Sequence, residues 1–192
     1  STLTFNTSKP PRANRTKTFS FQVNHSFILL PNEKMKIRNY DHRVGWFTVN
    51  KVDYSSDALK SDSFRLIRRW RLEPKNEEAY SRGELVEPKK QIVYYLDPAT
   101  PKKWRPYFIK GIEDWNSVFE KAGFKNTIVA KNPPSKEEDP NFSPEDIRYS
   151  TVRYVASETR NATGPSVSDP RTGEILESDI IWYHNHLRSY RN

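Results

Sequence analysis

Gln91-Ile92-Val93-Tyr94-Tyr95-Leu96-Asp97-Pro98, followed by Lys103-Trp104-Arg105-Pro106-Tyr107-Phe108-Ile109-Lys110-Gly111-Ile112-Glu113-Asp114-Trp115-Asn116-Ser117-Val118-Phe119-Glu120-Lys121-Ala122-Gly123-Phe124, is the stretch on which the fold turns. Its first six residues are a compact apolar strand, ended by Asp97-Pro98, with Pro101 closing the connecting turn. From Lys103 the apolar residues Trp104, Phe108, Ile112, Trp115, Phe119 and Ala122 recur at steps of three and four. That spacing predicts one helix over 103–122, about five turns long, with a single apolar stripe. Pro106 falls in the first turn, where its missing N–H has no intrahelical partner to lose. Gly123 is placed to cap the helix in the left-handed conformation, and Phe124 to make the hydrophobic contact that accompanies such a cap.

Downstream, Thr127 to Ala130 reads as a short strand and Asn132 to Pro144 as a polar surface loop. Asp146 to Val155 carries bulky residues on both faces, which suits a central strand. Gly164 to Ser168 and Ile175 to Tyr183 flank Asp169-Pro170-Arg171-Thr172-Gly173-Glu174, where proline and a following glycine favour a tight reversal, so the pair reads as a hairpin. Upstream, Thr2 to Arg15 is a polar arm, whereas Phe19 to Leu30, Val44 to Val52 and Ser63 to Leu72 read as strands. In the last of these, Phe64, Leu66 and Trp70 alternate with Arg65, Arg69 and Arg71. A charged, turn-rich connector from Glu73 to Lys90 contains Pro74, Gly83 and Pro88. The expected fold is α+β: a mainly β module over 1–88, then over 89–192 a twisted mixed sheet with one long packed helix.

The 192 residues are 34% hydrophobic and 13% aromatic, enough for one substantial core or two small ones. No apolar run reaches the roughly 18 residues of a membrane span, and Ser1 to Arg15 lacks the apolar region of a signal peptide. A start at Ser1 reads as a processed or cut end. With no cysteine, the chain has neither disulfides nor thiolate metal sites nor a cysteine nucleophile. The net charge of +8 mixes 24 acidic with 32 basic residues, which favours an ordinary solvated surface over a nucleic-acid partner.

Few side chains offer chemistry. His25, His42, His184 and His186 contain no pair at the i, i+4 spacing that sets two imidazoles on one helical face for zinc. His184 and His186 would share one side of a strand, so they read either as two ligands in search of a third or as polar residues at a strand end. The chain has six glycines, and it shows no phosphate loop, no dinucleotide fingerprint and no nucleophile elbow. Arg65, Arg69 and Arg71, beside Trp70, form the best candidate site for a polyanion; the alternative is the wet face of an edge strand.

Trp104-Arg105-Pro106, Trp115-Asn116, Phe119-Glu120-Lys121-Ala122-Gly123-Phe124, Asp146-Ile147-Arg148-Tyr149 and Asp169-Pro170-Arg171-Thr172-Gly173-Glu174-Ile175 resemble a bacterial metzincin-like family of zinc-dependent metalloproteases. In that family the peptidase region follows domains of unknown function of the DUF5117 type. Asp41-His42-Arg43-Val44-Gly45-Trp46-Phe47 resembles the end of such a preceding domain. The resemblance runs from about Val23 onward. It implies a twisted sheet with the helix packed on it and an edge strand, Gly164-Pro165-Ser166-Val167-Ser168, that pairs with extended peptide substrate. It also implies a parent enzyme that is secreted or in the bacterial envelope, with zinc held by a His-Glu-x-x-His helix that has no counterpart here. On this reading no catalytic residue and no metal ligand lies in the chain, which is inactive alone. Its partners are a peptide or protein substrate and the rest of the peptidase domain, and about a hundred further encoded residues would hold the zinc helix. The rival readings are a binding module for a polyanion, glycan or protein, and an inhibitory segment that brings Asp41 or His42 near the metal.

Overall fold

The computed structural model describes residues 23, 25–55, 57 and 59–190, and its fold is α+β. In the first region β1 (Thr48–Asp53) and β2 (Asp62–Ile67) form an antiparallel ribbon with Thr48 opposite Ile67. The free edge of β2 is covered by Arg38 to Tyr40, through Tyr40 N–H to the Arg65 carbonyl (2.9 Å) and Ile67 N–H to the Arg38 carbonyl (2.9 Å). Met35, Leu66 and Ile67 are buried there. The strand expected over 19–30 lies partly outside the described residues, and 25–30 form no strand. The strands expected from Val44 and to Leu72 are shorter: β1 starts at Thr48 and β2 stops at Ile67.

Beyond Ile67 the backbone leaves β2 and joins the second region. Arg69 donates to the Gly173 carbonyl (3.0 Å) and Ile175 donates back to the Arg69 carbonyl (2.9 Å), a parallel bridge. The stretch read as a connector is not all loop. Asn76 caps the short helix α1 (Glu77–Ser81) by accepting from Ala79 N–H at 3.0 Å, and Ala79 and Val86 pack with Phe124 in a small second core.

The second region is a five-stranded sheet of β3 (Ile92–Leu96), β4 (Ile128–Lys131), β5 (Ser150–Val155), β6 (Ala162–Thr163) and β9 (Ile180–Tyr183). Its order is β4-β3-β5-β9-β6, parallel throughout except for the antiparallel edge strand β6. Alternation along β3 sends Ile92, Tyr94 and Leu96 to one face, where they meet Ile112, Ile128, Ala130 and Val152. Tyr95 goes to the other face and packs on Phe142 of the polar loop and on Tyr149 just before β5. The strand expected from Asp146 starts at Ser150, because Asp146 accepts from Tyr149 N–H (3.0 Å) in a turn.

The expected five-turn helix is interrupted. A 3-10 turn (Lys102–Trp104) leads into α2 (Arg105–Glu113), and α3 (Asn116–Lys121) follows. Between them Trp115 bonds to Ile112 (3.3 Å) and Ser117 to Asp114 (3.3 Å), a tighter three-residue ladder, while the Ser117 hydroxyl donates to the same Asp114 carbonyl. The end follows expectation: Gly123 has φ 88°, Phe124 N–H reaches the Phe119 carbonyl (3.0 Å), and Gly123 N–H that of Glu120 (3.0 Å).

Candidate functional site

The two edges of the five-stranded sheet differ. At the β4 edge the outward backbone groups are met by helix side chains. Asn116 Oδ1 accepts from Thr127 N–H (2.8 Å) and Ile128 N–H (3.1 Å), its Nδ2 donates to the Ile128 carbonyl (2.8 Å), and Glu113 accepts from Ala130 N–H (3.3 Å). An edge so covered cannot add another strand.

The β6 edge is open. Ala162 lies opposite Trp182 and Thr163 opposite Ile181. The same register extends on both sides, since Tyr183 N–H reaches the Asn161 carbonyl (3.4 Å) and Asp179 N–H the Pro165 carbonyl (3.0 Å). Hydrogen-bonded pairs alternate along an antiparallel ladder, so Asn161, Thr163 and Pro165 turn their backbone groups to β9, while those of Ala162 and Gly164 point outward. The Ala162 N–H is taken by the Asn161 side chain at 2.8 Å, which leaves the Ala162 carbonyl and both Gly164 groups for a partner.

The segment expected as the edge, Gly164 to Ser168, is thus divided. Gly164 and Pro165 prolong the β6 edge. Ser166, Val167 and Ser168 form β7 (Ser166–Ser168), which pairs with β8 (Ile175–Ser178) in a separate antiparallel ribbon, Val167 opposite Glu177. Between these strands the reversal forms as its composition predicts: Gly173 N–H returns to the Asp169 carbonyl (2.8 Å), with Gly173 at φ 78°. Asp169 is fully buried and paired with Arg171, whose hydrogen bond holds the carboxyl below the usual range, and Arg171 also donates to the Pro31 carbonyl (2.8 Å). Arg68 reaches Ser166 from the first region. The ribbon is therefore clamped by the N-terminal module.

The three arginines of the polyanion reading do not share one free face. Arg65 lies over the Tyr40 ring at 3.8 Å. Arg69 donates to the Lys36 carbonyl (2.8 Å), and burial, more than the nearby Arg38, lowers its pKa. Arg71 bonds Glu73 (2.7 Å) and the Glu33 carbonyl (2.9 Å) and lies 4.0 Å from buried Glu174. Arg71→Ala is expected to cost about 1–3 kcal/mol, because it removes the ion pair to buried Glu174 and the bond to Glu73; equilibrium urea denaturation measures it.

On the helix-bearing face, the sheet and α2 leave an open groove of about 700 Å³ lined by Trp70, Tyr94, Trp104, Phe108, Trp115 and Trp182 among others. It runs across to Ile180 and Trp182 of β9, the strand that carries β6, so groove and open edge adjoin. Trp115 is 59% exposed and Tyr107 70%. Water contact on that scale marks a surface that fits another chain or ligand.

The histidines stand apart from the strand geometry expected of them. His184 and His186 follow β9 in a 3-10 segment (His184–Tyr190); His184 meets the Tyr154 hydroxyl, and His186 the Tyr190 hydroxyl at 3.0 Å and the Trp182 ring. Among the described residues no three His, Cys, Asp or Glu side chains come together as a metal ion requires. Asp41 bonds Arg43 (2.6 Å), and His42 is exposed beside it. Among the described residues no helix is long and apolar enough to cross a membrane. Two features escaped the sequence reading. Asn116 was visible only as a motif letter, and Glu177 with Asp179, which alternation over the expected strand 175–183 would set on one side, carried a signal of that kind although Asp179 lies between β8 and β9.

No curated protein and no solved structure matches the chain. Its residues 1–75 match the model of a family described as a domain of unknown function (DUF5117).

Proposed function

We propose that this chain is the sheet-bearing part of a zinc-dependent metalloendopeptidase, with the end of its preceding domain. The chain supplies the peptide-binding edge and the helix-backed sheet but not the zinc. The observation that carries the reading is the asymmetry of the sheet: the β4 edge is sealed by Asn116 and Glu113, and the β6 edge is open beside the aromatic groove. A sheet with one free edge offers an extended peptide its backbone acceptors and donors, here the Ala162 carbonyl and the Gly164 N–H and carbonyl. The groove would receive further polypeptide of the same peptidase domain, because an apolar floor so open to water gains from being covered. Trp182 Nε1, buried without a hydrogen-bond partner among the described residues, lies on that floor.

Among the described residues no set of donors converges as a zinc ion requires. In the parent enzyme the metal would polarise the scissile carbonyl. The chain's part is to hold the peptide extended. The test is peptide hydrolysis by the parent polypeptide. Activity that is lost on chelation and restored by zinc supports the reading. In that enzyme Gly164→Pro, which removes one outward N–H, is expected to raise KM about tenfold, the worth of one hydrogen bond near the top of its usual range, at unchanged zinc content. A parent with no zinc-dependent hydrolysis sinks the proposal, and an unchanged KM sinks the assignment of the edge.

A further inference from the structure

Glu177 is 8% exposed, and its Oε1 is buried with no hydrogen-bond partner among the described residues. Its neighbour two positions on, Asp179, is bonded to other elements through one carboxylate oxygen and its own N–H. The Asp179 carboxylate accepts from Thr151 N–H (2.9 Å) and the Thr151 hydroxyl (2.6 Å) on β5, and its own N–H donates to the Pro165 carbonyl (3.0 Å). Between them, Ser178 N–H reaches the Ser150 hydroxyl (3.1 Å) and the Ser178 hydroxyl the Pro165 carbonyl (3.1 Å). Opposite Glu177 lies Val167 of β7. The two carboxyls therefore sit where the ribbon, β5 and the β6 edge meet.

We propose that Glu177 and Asp179 share one proton and act as a latch that holds the Gly164 to Ser168 segment against the sheet and releases it when the proton leaves. A protonated Glu177 donates its O–H to the Asp179 carboxylate, which fills the otherwise unmet hydrogen-bonding capacity of a buried acid. Without that proton two like charges repel, and among the described residues no Lys or Arg forms an ion pair with either carboxylate. Arg68, which reaches β7, gives its guanidinium to Ser166; Arg153 on β5 is taken by Asp97 and Glu145. On β3 the neighbouring titratable group is Tyr94, buried and itself raised by burial, and it adds no positive charge. β7 carries only Ser166, Val167 and Ser168.

The direction follows from burial. Burial first, then Asp179, pushes Glu177 from 4.5 up to about 7. A carboxyl raised on folding favours the folded state below its ordinary value, and that advantage is lost as pH rises through about 7. The latch is thus closed in mild acid and opened by base. It stands on this junction alone and holds whether or not the segment binds peptide.

Two measurements decide it. Amide exchange in residues 164–168 and 176–179, corrected for the intrinsic effect of pH, is expected to speed about tenfold between roughly pH 6 and 8.5, while Glu177→Gln, which keeps a donor and cannot ionise, stays protected. The Glu177 carboxyl carbon in the unaltered chain is expected to titrate near 7. Equal acceleration in Glu177→Gln overturns the latch. So does a Glu177 midpoint in the ordinary carboxylate range, a result that needs no variant to fold.

Discussion

Alanine at position 173 is expected to cost about 3 kcal/mol or more and to separate the 169–175 turn from the strand that leaves β2. Gly173 has φ 78°, and a Cβ built there would lie 2.3 Å from the Ile67 carbonyl oxygen and 3.1 Å from its carbon. The left-handed conformation alone costs a non-glycine residue about 1–2 kcal/mol. The contact adds to it because neither backbone can withdraw. Ile67 is held by pairing with Thr48 and by the Arg38 carbonyl, and Gly173 by Arg69 N–H. Gly83 supplies the control. It has φ 83° with nothing within 4 Å of the place a Cβ would take, so Gly83→Ala should show the conformational cost alone. Denaturant titration of both variants should separate them by about 2 kcal/mol. Equal losses would mean that the close approach of the turn to Ile67 does not hold the two regions together.

The same turn shows how much of this protein its sequence discloses. Asp169-Pro170-Arg171-Thr172-Gly173 announces a reversal by its composition, and the reversal forms with the glycine in the left-handed conformation. Its service as the anchor of the N-terminal module was not legible, because the partners Ile67, Arg69 and Pro31 lie about a hundred or more positions away in the chain. No local pattern encodes such pairing. The helix tells a related story. Spacing by three and four set Trp104, Phe108, Ile112, Trp115 and Phe119 along one groove, yet could not show that the Asn116 side chain bonds β4 or that the backbone tightens between Ile112 and Ser117. Periodicity reports which face is apolar, whereas breaks in a helix come from what its polar side chains find across the core.

The open edge was legible only in part. Order along the chain pointed to Gly164 to Ser168, and the register places Gly164 and Pro165 at that edge but moves Ser166 to Ser168 into the ribbon. Two-residue strands such as β6 have too few positions for alternation to register. The ribbon instead follows from the reversal, which brings Val167 opposite Glu177 and draws β7 away from β9. On the proposed reading, peptide contacts would centre on Ala162 to Gly164, three residues upstream of the expected centre.

Asn116→Ala is expected to lower stability by about 2–4 kcal/mol and to promote self-association. One side chain satisfies three backbone groups of the β4 edge, the Thr127 and Ile128 N–H and the Ile128 carbonyl. Thr127 is fully buried and Ile128 8% exposed, so water replaces those bonds poorly once the amide is gone. Each unmet buried group costs about 1–3 kcal/mol, partly relieved if the helix shifts. Asn116→Asp keeps the acceptor for the two N–H groups but loses the donor to the Ile128 carbonyl, and should fall between the parent and the alanine variant. The second consequence follows from the sheet rather than the helix. With Asn116 gone, β4 exposes a ladder of unpaired groups that another copy of the chain can match, so the variant should associate with rising concentration in sedimentation velocity. Stability within about 0.5 kcal/mol of the parent would show that Asn116 does not seal this edge, and the contrast between a closed β4 and an open β6 would lose its basis.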